Sequence, residues 1–159
     1  MLEAASIIAL SASLMSPVFS TDVANTAFNV ADKEESIFTG KNSKQKTARF
    51  LVVWVSGESK GDPFALGDSG EAWGSMQIHY DIWKDLIQED PFYLFELETS
   101  MKVSLRIIRY LNKFCNDHKI NRSSNENIRR ALNAYSSGSC DGNKTSIELV
   151  NNRCKMIGC

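Results

Sequence analysis

A chain of 159 residues has the length of a single domain, enough for one core and short for two. Hydrophobic residues at 43% and charged residues at 23% match ordinary globular usage, which excludes a disordered chain, a collagen and a coiled coil. The 18 Lys and Arg against 19 Asp and Glu leave a net charge of -1, without the basic excess of a protein that binds nucleic acid through its phosphates.

The only long apolar stretch runs from Ala4 to Phe19. Ser6, Ser11, Ser13, Ser16 and Pro17 interrupt it, and it falls short of the roughly 18 apolar residues of a membrane span. A secretory signal places basic residues ahead of its apolar run, whereas the first Lys or Arg here is Lys33 and Glu3 stands near the front. The stretch reads as an amphipathic or buried helix ended near Pro17, with a cleaved signal as the alternative, and the domain is expected to begin at residue 1. Asp22 is the expected N-cap of a second helix carrying Val23, Ala27, Val30 and Ala31 at helical spacing. Thr39 to Lys46 is polar, basic and turn-rich, and reads as a loop.

From Thr47 to Gly57 the chain is almost wholly apolar, and periodicity does not choose between a buried strand and a buried helix. Residues 60 to 80 gather Gly61, Asp62, Pro63, Gly67, Asp68, Ser69, Gly70 and Gly74, turn chemistry with room for a short hairpin. Pro91 opens another helical stretch, striped by Met101, Leu105, Ile108, Leu111 and Cys115. Capping boxes at Ser123 with Glu126 and at Thr145 with Glu148 predict two further helices, the last with the stripe Ile147, Val150, Cys154 and Ile157. The fold class expected is therefore mainly α: a bundle of six or seven helices with a glycine-rich loop or short hairpin inserted to form a cleft. It is read as one domain over 1–159, with N-terminal helices and a basic loop over 1–46 and the core over 47–159.

Glu58 ends the apolar run and precedes Ser59, Lys60 and Gly61. The residues alone leave two settings for it. At the mouth of a cleft, desolvation would raise its pKa and suit it to general acid work near neutral pH. At an exposed helix end it would simply point into water.

Three separated motifs bear on that choice: Glu58-Ser59, then Gly74-Ser75-Met76-Gln77-Ile78, then Ala134-Tyr135-Ser136-Ser137-Gly138. They resemble, in order, the ES, GLMQ and AYNxG motifs of the soluble lytic transglycosylase (SLT-type) catalytic domain of the lysozyme-like superfamily and its goose-type lysozyme relatives. The resemblance spans about residues 47 to 140, with Ser75 in place of the usual Leu and Ser136 in place of the usual Asn. It implies cleavage of the MurNAc–GlcNAc β-1,4 bond of peptidoglycan by lytic transglycosylation, with Glu58 as the single acid and base, no cofactor and no metal. It also implies that the Tyr135 hydroxyl bonds and orients Glu58, that Ser59, Ser75 and Gln77 contact the sugar or its acetamido group, and that Met76 forms apolar wall. A raised acid pKa is the pattern of the related lysozymes, and it comes to Glu58 only with the resemblance.

A water-using muramidase of the inverting kind needs a second carboxylate, for which Asp68 and Glu71 are the nearest candidates. Asp68 has the competing role of bonding backbone N–H groups of its own turn. A glycan-binding module without turnover is the alternative of another class. Trp73 and Trp83 offer either stacking faces for sugar or core packing, and His79 either a substrate contact or a structural role. Cys115 and His118 have metal-like spacing, but Cys115 and Cys154 lie on apolar stripes, and a disulfide among Cys140, Cys154 and Cys159 is open. Asn121-Arg122-Ser123 and Asn143-Lys144-Thr145 match the glycosylation sequon. The expected setting is the cell wall, in the periplasm or outside the cell, as a monomer without nucleic-acid partner or integral membrane segment. A phage endolysin or virion-carried enzyme would reconcile that setting with the poor export signal.

Overall fold

Pro17 sets the first boundary in the computed structural model, which describes residues 2–116 and 123–159. Helix α1 (Leu2–Leu14) stops just before it, and α2 (Pro17–Lys33) starts on it. Proline is suited to a helix's first position, where its missing N–H costs nothing, and it holds the preceding residue extended. Ser16 is accordingly extended, with φ -62 and ψ 151. Asp22 is thus not an N-cap; it lies inside α2, because the proline begins the helix more than a turn earlier. The serines of the apolar stretch have specific tasks: Ser11 Oγ donates to the Ser20 carbonyl at 2.6 Å, tying α1 to α2. Among the described residues no helix is long and apolar enough to cross a membrane.

The ambiguous apolar run is a helix. α3 (Ser43–Ser59) starts at Ser43, so the last four residues of the expected basic loop form its first turn. Phe50, Leu51, Val52, Val53, Trp54 and Val55 are all buried, because α1, α2 and α7 (Lys144–Ile157) pack around this helix. A helix covered on all sides has no polar face, which is why its sequence carries no period.

After α3 the chain forms a small antiparallel sheet in the order β1 (Leu66–Gly67), β2 (Ala72–Trp73), β3 (Ile78–His79). Leu66 pairs with Trp73, and Ala72 with His79. One turn of helix, α4 (Tyr80–Trp83), follows. Pro91 opens a 3-10 segment, Pro91–Phe95, capped by Asp90, before α5 (Leu97–Asn116) begins. The whole α5 stripe from Met101 to Cys115 is buried, as expected.

Helix α6 (Ser124–Ser137) is capped by Ser123, whose side chain accepts the Glu126 N–H as predicted. For α7 the expected box at Thr145 and Glu148 is corrected: Asn143 and Ser146 form it. Gly142, at φ 68, turns the chain so that Asn143 reaches the cap position first. Ile147 stays 41% exposed in the first turn, while Val150, Cys154 and Ile157 are buried. The fold is therefore mainly helical, seven α-helices among the described residues with a three-stranded insertion. One core cluster runs from Ile7 to Cys159, so the N-terminal helices share it.

The four cysteines form two disulfides, Cys115–Cys140 and Cys154–Cys159. Cys115 is both packed and bonded, so its sulfur is not available to a metal. Its spacing partner His118, and Asn121 and Arg122 of the first sequon, lie outside the described residues. Cys115–Cys140 links α5 to the loop after α6 across a separation of 25 residues, which by loop entropy contributes about 3 kcal/mol. Replacing both of these cysteines by Ala is expected to lower the urea midpoint clearly more than replacing Cys154 and Cys159, whose separation is 5.

Candidate functional site

Helix α3 delivers Glu58 to the surface. Buried for most of its length, the helix emerges in its last turn, where Gly57 is exposed and Glu58 and Ser59 are half-buried. Lys60 then takes a left-handed backbone, φ 59, and Gly61 follows at φ 93, so the chain leaves the helix abruptly for the sheet. Ser59 Oγ donates to the Val55 carbonyl and accepts the Gly61 N–H, both at 3.2 Å, which commits it to fastening that exit.

The carboxylate is not alone. Arg153, from α7, donates from Nη1 to Glu58 Oε1 at 2.6 Å, and its side chain is 7% exposed against 25% for Glu58. The guanidinium carbon sits 4.3 Å from the centre of the Trp54 ring, a cation–π contact. Gly57 makes this approach possible, since a Cβ there would overlap the guanidinium. Neither setting read from the sequence, a cleft mouth or an exposed helix end, included this cationic partner.

Tyr135, on α6, does not bond Glu58 as expected. Its hydroxyl donates to the Met76 carbonyl at 3.0 Å, and its ring stands edge-on to Trp54 at 6.2 Å. Arg153 holds the place at Glu58 expected of Tyr135. Burial pushes the Tyr135 phenol well above its ordinary value, and the Glu58 charge adds in the same direction, opposed by Arg153.

The glycine-rich motif divides into surface and core. Gln77 is half-buried with φ 50, and its side-chain amide donates to the carbonyls of Ala65, 3.2 Å, and Gly74, 2.9 Å. Gly67 leaves space for the Gln77 carbonyl oxygen, where any Cβ would collide. Ser75 and Met76 are fully buried, so neither side chain reaches a ligand as the resemblance implied. Met76 instead packs in the core and its N–H donates to Ser100 Oγ at 3.3 Å. Hence Tyr135 bonds the sheet turn at Met76 and stands within electrostatic reach of Glu58, while Ser75 and Met76 are buried.

Trp73 packs among Phe95 (5.5 Å, nearly parallel), Tyr80 and Phe92, and spends its indole N–H on the Gly70 carbonyl. Trp83 stands edge-on to Tyr110 at 6.0 Å. Both indoles are half-buried against these rings, of which Phe92 and Tyr110 are exposed. Asp68 Oδ2 lies 2.8 Å from His79 Nε2, so this carboxylate pairs across the sheet and does not cap its own turn. Glu71 is exposed. No group of His, Cys, Asp or Glu among the described residues is arranged to hold a metal ion.

Arg153 is the residue the sequence reading missed. A signal for it existed: it falls three residues after Val150 and just before Cys154, a charge on the buried side of the α7 stripe, where charges are rare unless paired. Comparison with family models, curated proteins and solved structures returned no match.

Two outcomes follow from this geometry. Gln77→Ala removes both amide bonds that close the sheet turn and is expected to cost about 2 kcal/mol, read from urea unfolding. Tyr135 keeps its proton in the folded chain above pH ~10, where unfolded tyrosine loses it, so the stability this group contributes is full below that pH and lost as pH rises. Spectrophotometric titration of native protein should show a phenolate step above the ordinary tyrosine range, from Tyr135. The late phenolate step, coincident with unfolding, should be missing in Tyr135→Phe.

Proposed function

We propose that this protein cleaves the β-1,4 bond between MurNAc and GlcNAc in peptidoglycan, by lytic transglycosylation, with Glu58 as both acid and base. The observation that carries the reading is the placing of Glu58: a half-buried carboxyl at the last turn of a core helix, within electrostatic reach of Tyr135 and paired with a buried arginine. The order of the three motifs supports it, as does a mainly helical fold with a sheet insertion at the expected point.

In this reaction Glu58 gives its proton to the bridging oxygen as the glycosidic bond breaks and an oxocarbenium-like centre forms at C1. The resulting carboxylate then takes the proton of the same sugar's 6-hydroxyl while that oxygen bonds to C1. A 1,6-anhydro ring closes, Glu58 is protonated again and no water is consumed. The sugar's acetamido group supplies the electrostatic help that a second carboxylate gives in other glycosidases. Gln77 and Tyr135 shape the sheet turn that faces the glycan, and Ser75 and Met76 support it from below.

The substrate places the protein at the cell wall, acting as a monomer on glycan strands. Two disulfides support an oxidising compartment, where such bonds persist.

Mass spectrometry of soluble products from purified peptidoglycan tests the reading, with wild type beside Glu58→Gln. Wild type should release fragments ending in anhydro-MurNAc, each lighter by one water than the hydrolysis product, and Glu58→Gln should lose at least about 100-fold in rate, the scale of a general acid. Reducing ends would turn the reading to a muramidase, with Asp68 as the second carboxylate to examine. Glycan binding without release from either protein would replace the enzyme by a binding module.

A further inference from the structure

Arg153 belongs to none of the motifs that lead to Glu58, yet several independent features converge on it. It is nearly buried, its Nη1 donates to Glu58 Oε1 at 2.6 Å, and its guanidinium lies over Trp54 at 4.3 Å. A glycine occupies the one helical position whose side chain would exclude it. That glycine is exposed on α3 and not in a left-handed conformation, so the backbone there does not need it. An exposed helical site otherwise favours alanine.

We propose that Arg153 is a positioning residue for Glu58, an inference that rests on glycan cleavage by that carboxyl. The guanidinium engages Oε1, which leaves Oε2 for the glycosidic oxygen and later for the 6-hydroxyl. Its charge is permanent, so it neither competes for the proton nor accepts it. Glu58 passes from neutral to anionic as it protonates the leaving oxygen. The cation fixed beside Oε1 holds the carboxyl in one orientation, so Oε2 meets the glycosidic oxygen in a single geometry, and such positioning raises kcat. Trp54 and the packing of α7 hold the cation in place beforehand, so no reorganisation is required during the reaction.

Steady-state cleavage of soluble, uncrosslinked glycan strands by wild type, Arg153→Met, Arg153→Lys and Gly57→Ala tests this, with thermal unfolding of each. Arg153→Met is expected to lose about 100-fold in kcat with KM within about threefold of wild type. Arg153→Lys should recover about tenfold of that, since the contact to Glu58 uses a single nitrogen that an ammonium can replace. Gly57→Ala keeps the charge but displaces it, and should fall with Arg153→Met; if Arg153→Met does not fold, this variant and Arg153→Lys carry the test. Folded variants that cleave at the wild-type rate would overturn the proposal, as would losses confined to KM. So would equal losses in the Met and Lys variants that simply follow their melting temperatures. When wild type cleaves and Glu58→Gln does not, such results sink the role of Arg153 alone. When wild type releases nothing, the cleavage reading fails and the positioning role fails with it.

Discussion

A guanidinium inside the protein, lying on Trp54 and reaching the carboxylate of Glu58, is the constraint around which the rest of this region is arranged. Removing a charge from water costs several kcal/mol, and one hydrogen-bonded partner with an aromatic face offsets that cost without a large surplus. The arrangement is thus a weak source of stability and a strong source of geometry. It dictates a glycine one residue before Glu58, at a helical cost of about 1 kcal/mol relative to alanine. It also sets how α7 docks on α3, because Arg153 can meet Glu58 only when the face carrying Val150, Cys154 and Ile157 is turned inward.

The small sheet is fastened to this frame from several directions. Strands of two residues have little stability of their own, so their position must come from outside. The Tyr135 hydroxyl takes the Met76 carbonyl, Ser100 takes the Met76 N–H, and the Gln77 amide spans Ala65 and Gly74. Gly74, at φ 74, lies so close to the Leu94 carbonyl that no side chain fits between them. Trp54 touches both systems, meeting Arg153 with its face and Tyr135 edge-on. Glu58, through Arg153, and the sheet turn, through Tyr135, are therefore indexed to one buried indole.

The N-terminal helices, which none of the three motifs covers, serve the same end. Ser56 on α3 donates to the Leu14 carbonyl at the end of α1, and Ser11 ties α1 to α2. Gly61 lies against Phe19 and Met15, so the turn that follows Glu58 rests on the junction between the first two helices. Covering α3 on this side is what makes it a helix without a polar face. Tyr135 comes from α6, which packs on α5 and α7, and Cys115–Cys140 links α5 to the loop beyond α6.

Features that depend on neighbours along the chain could be read directly from the order of residues. The break at Ser16-Pro17, the Ser123 cap, the α5 stripe and the turn-rich insertion after Glu58 all rest on local stereochemistry or on one helix face, and each was legible. So was Glu58, as a carboxyl ending an apolar run. Tertiary packing settled the rest. That Thr47 to Gly57 is helix depended on burial from every side, which erases periodicity. That Asn143 and not Thr145 caps α7 depended on where Gly142 turns the chain. Tyr135 bonds Met76 because the sheet turn, 59 residues earlier, presents a carbonyl there. Ser75 and Met76 lie in the core because that turn is folded inward. Arg153 meets Glu58 across 95 residues of sequence, and no spacing rule links the two. Their encounter follows only from the packing of two helices, since a charge buried on one must find its partner on the other.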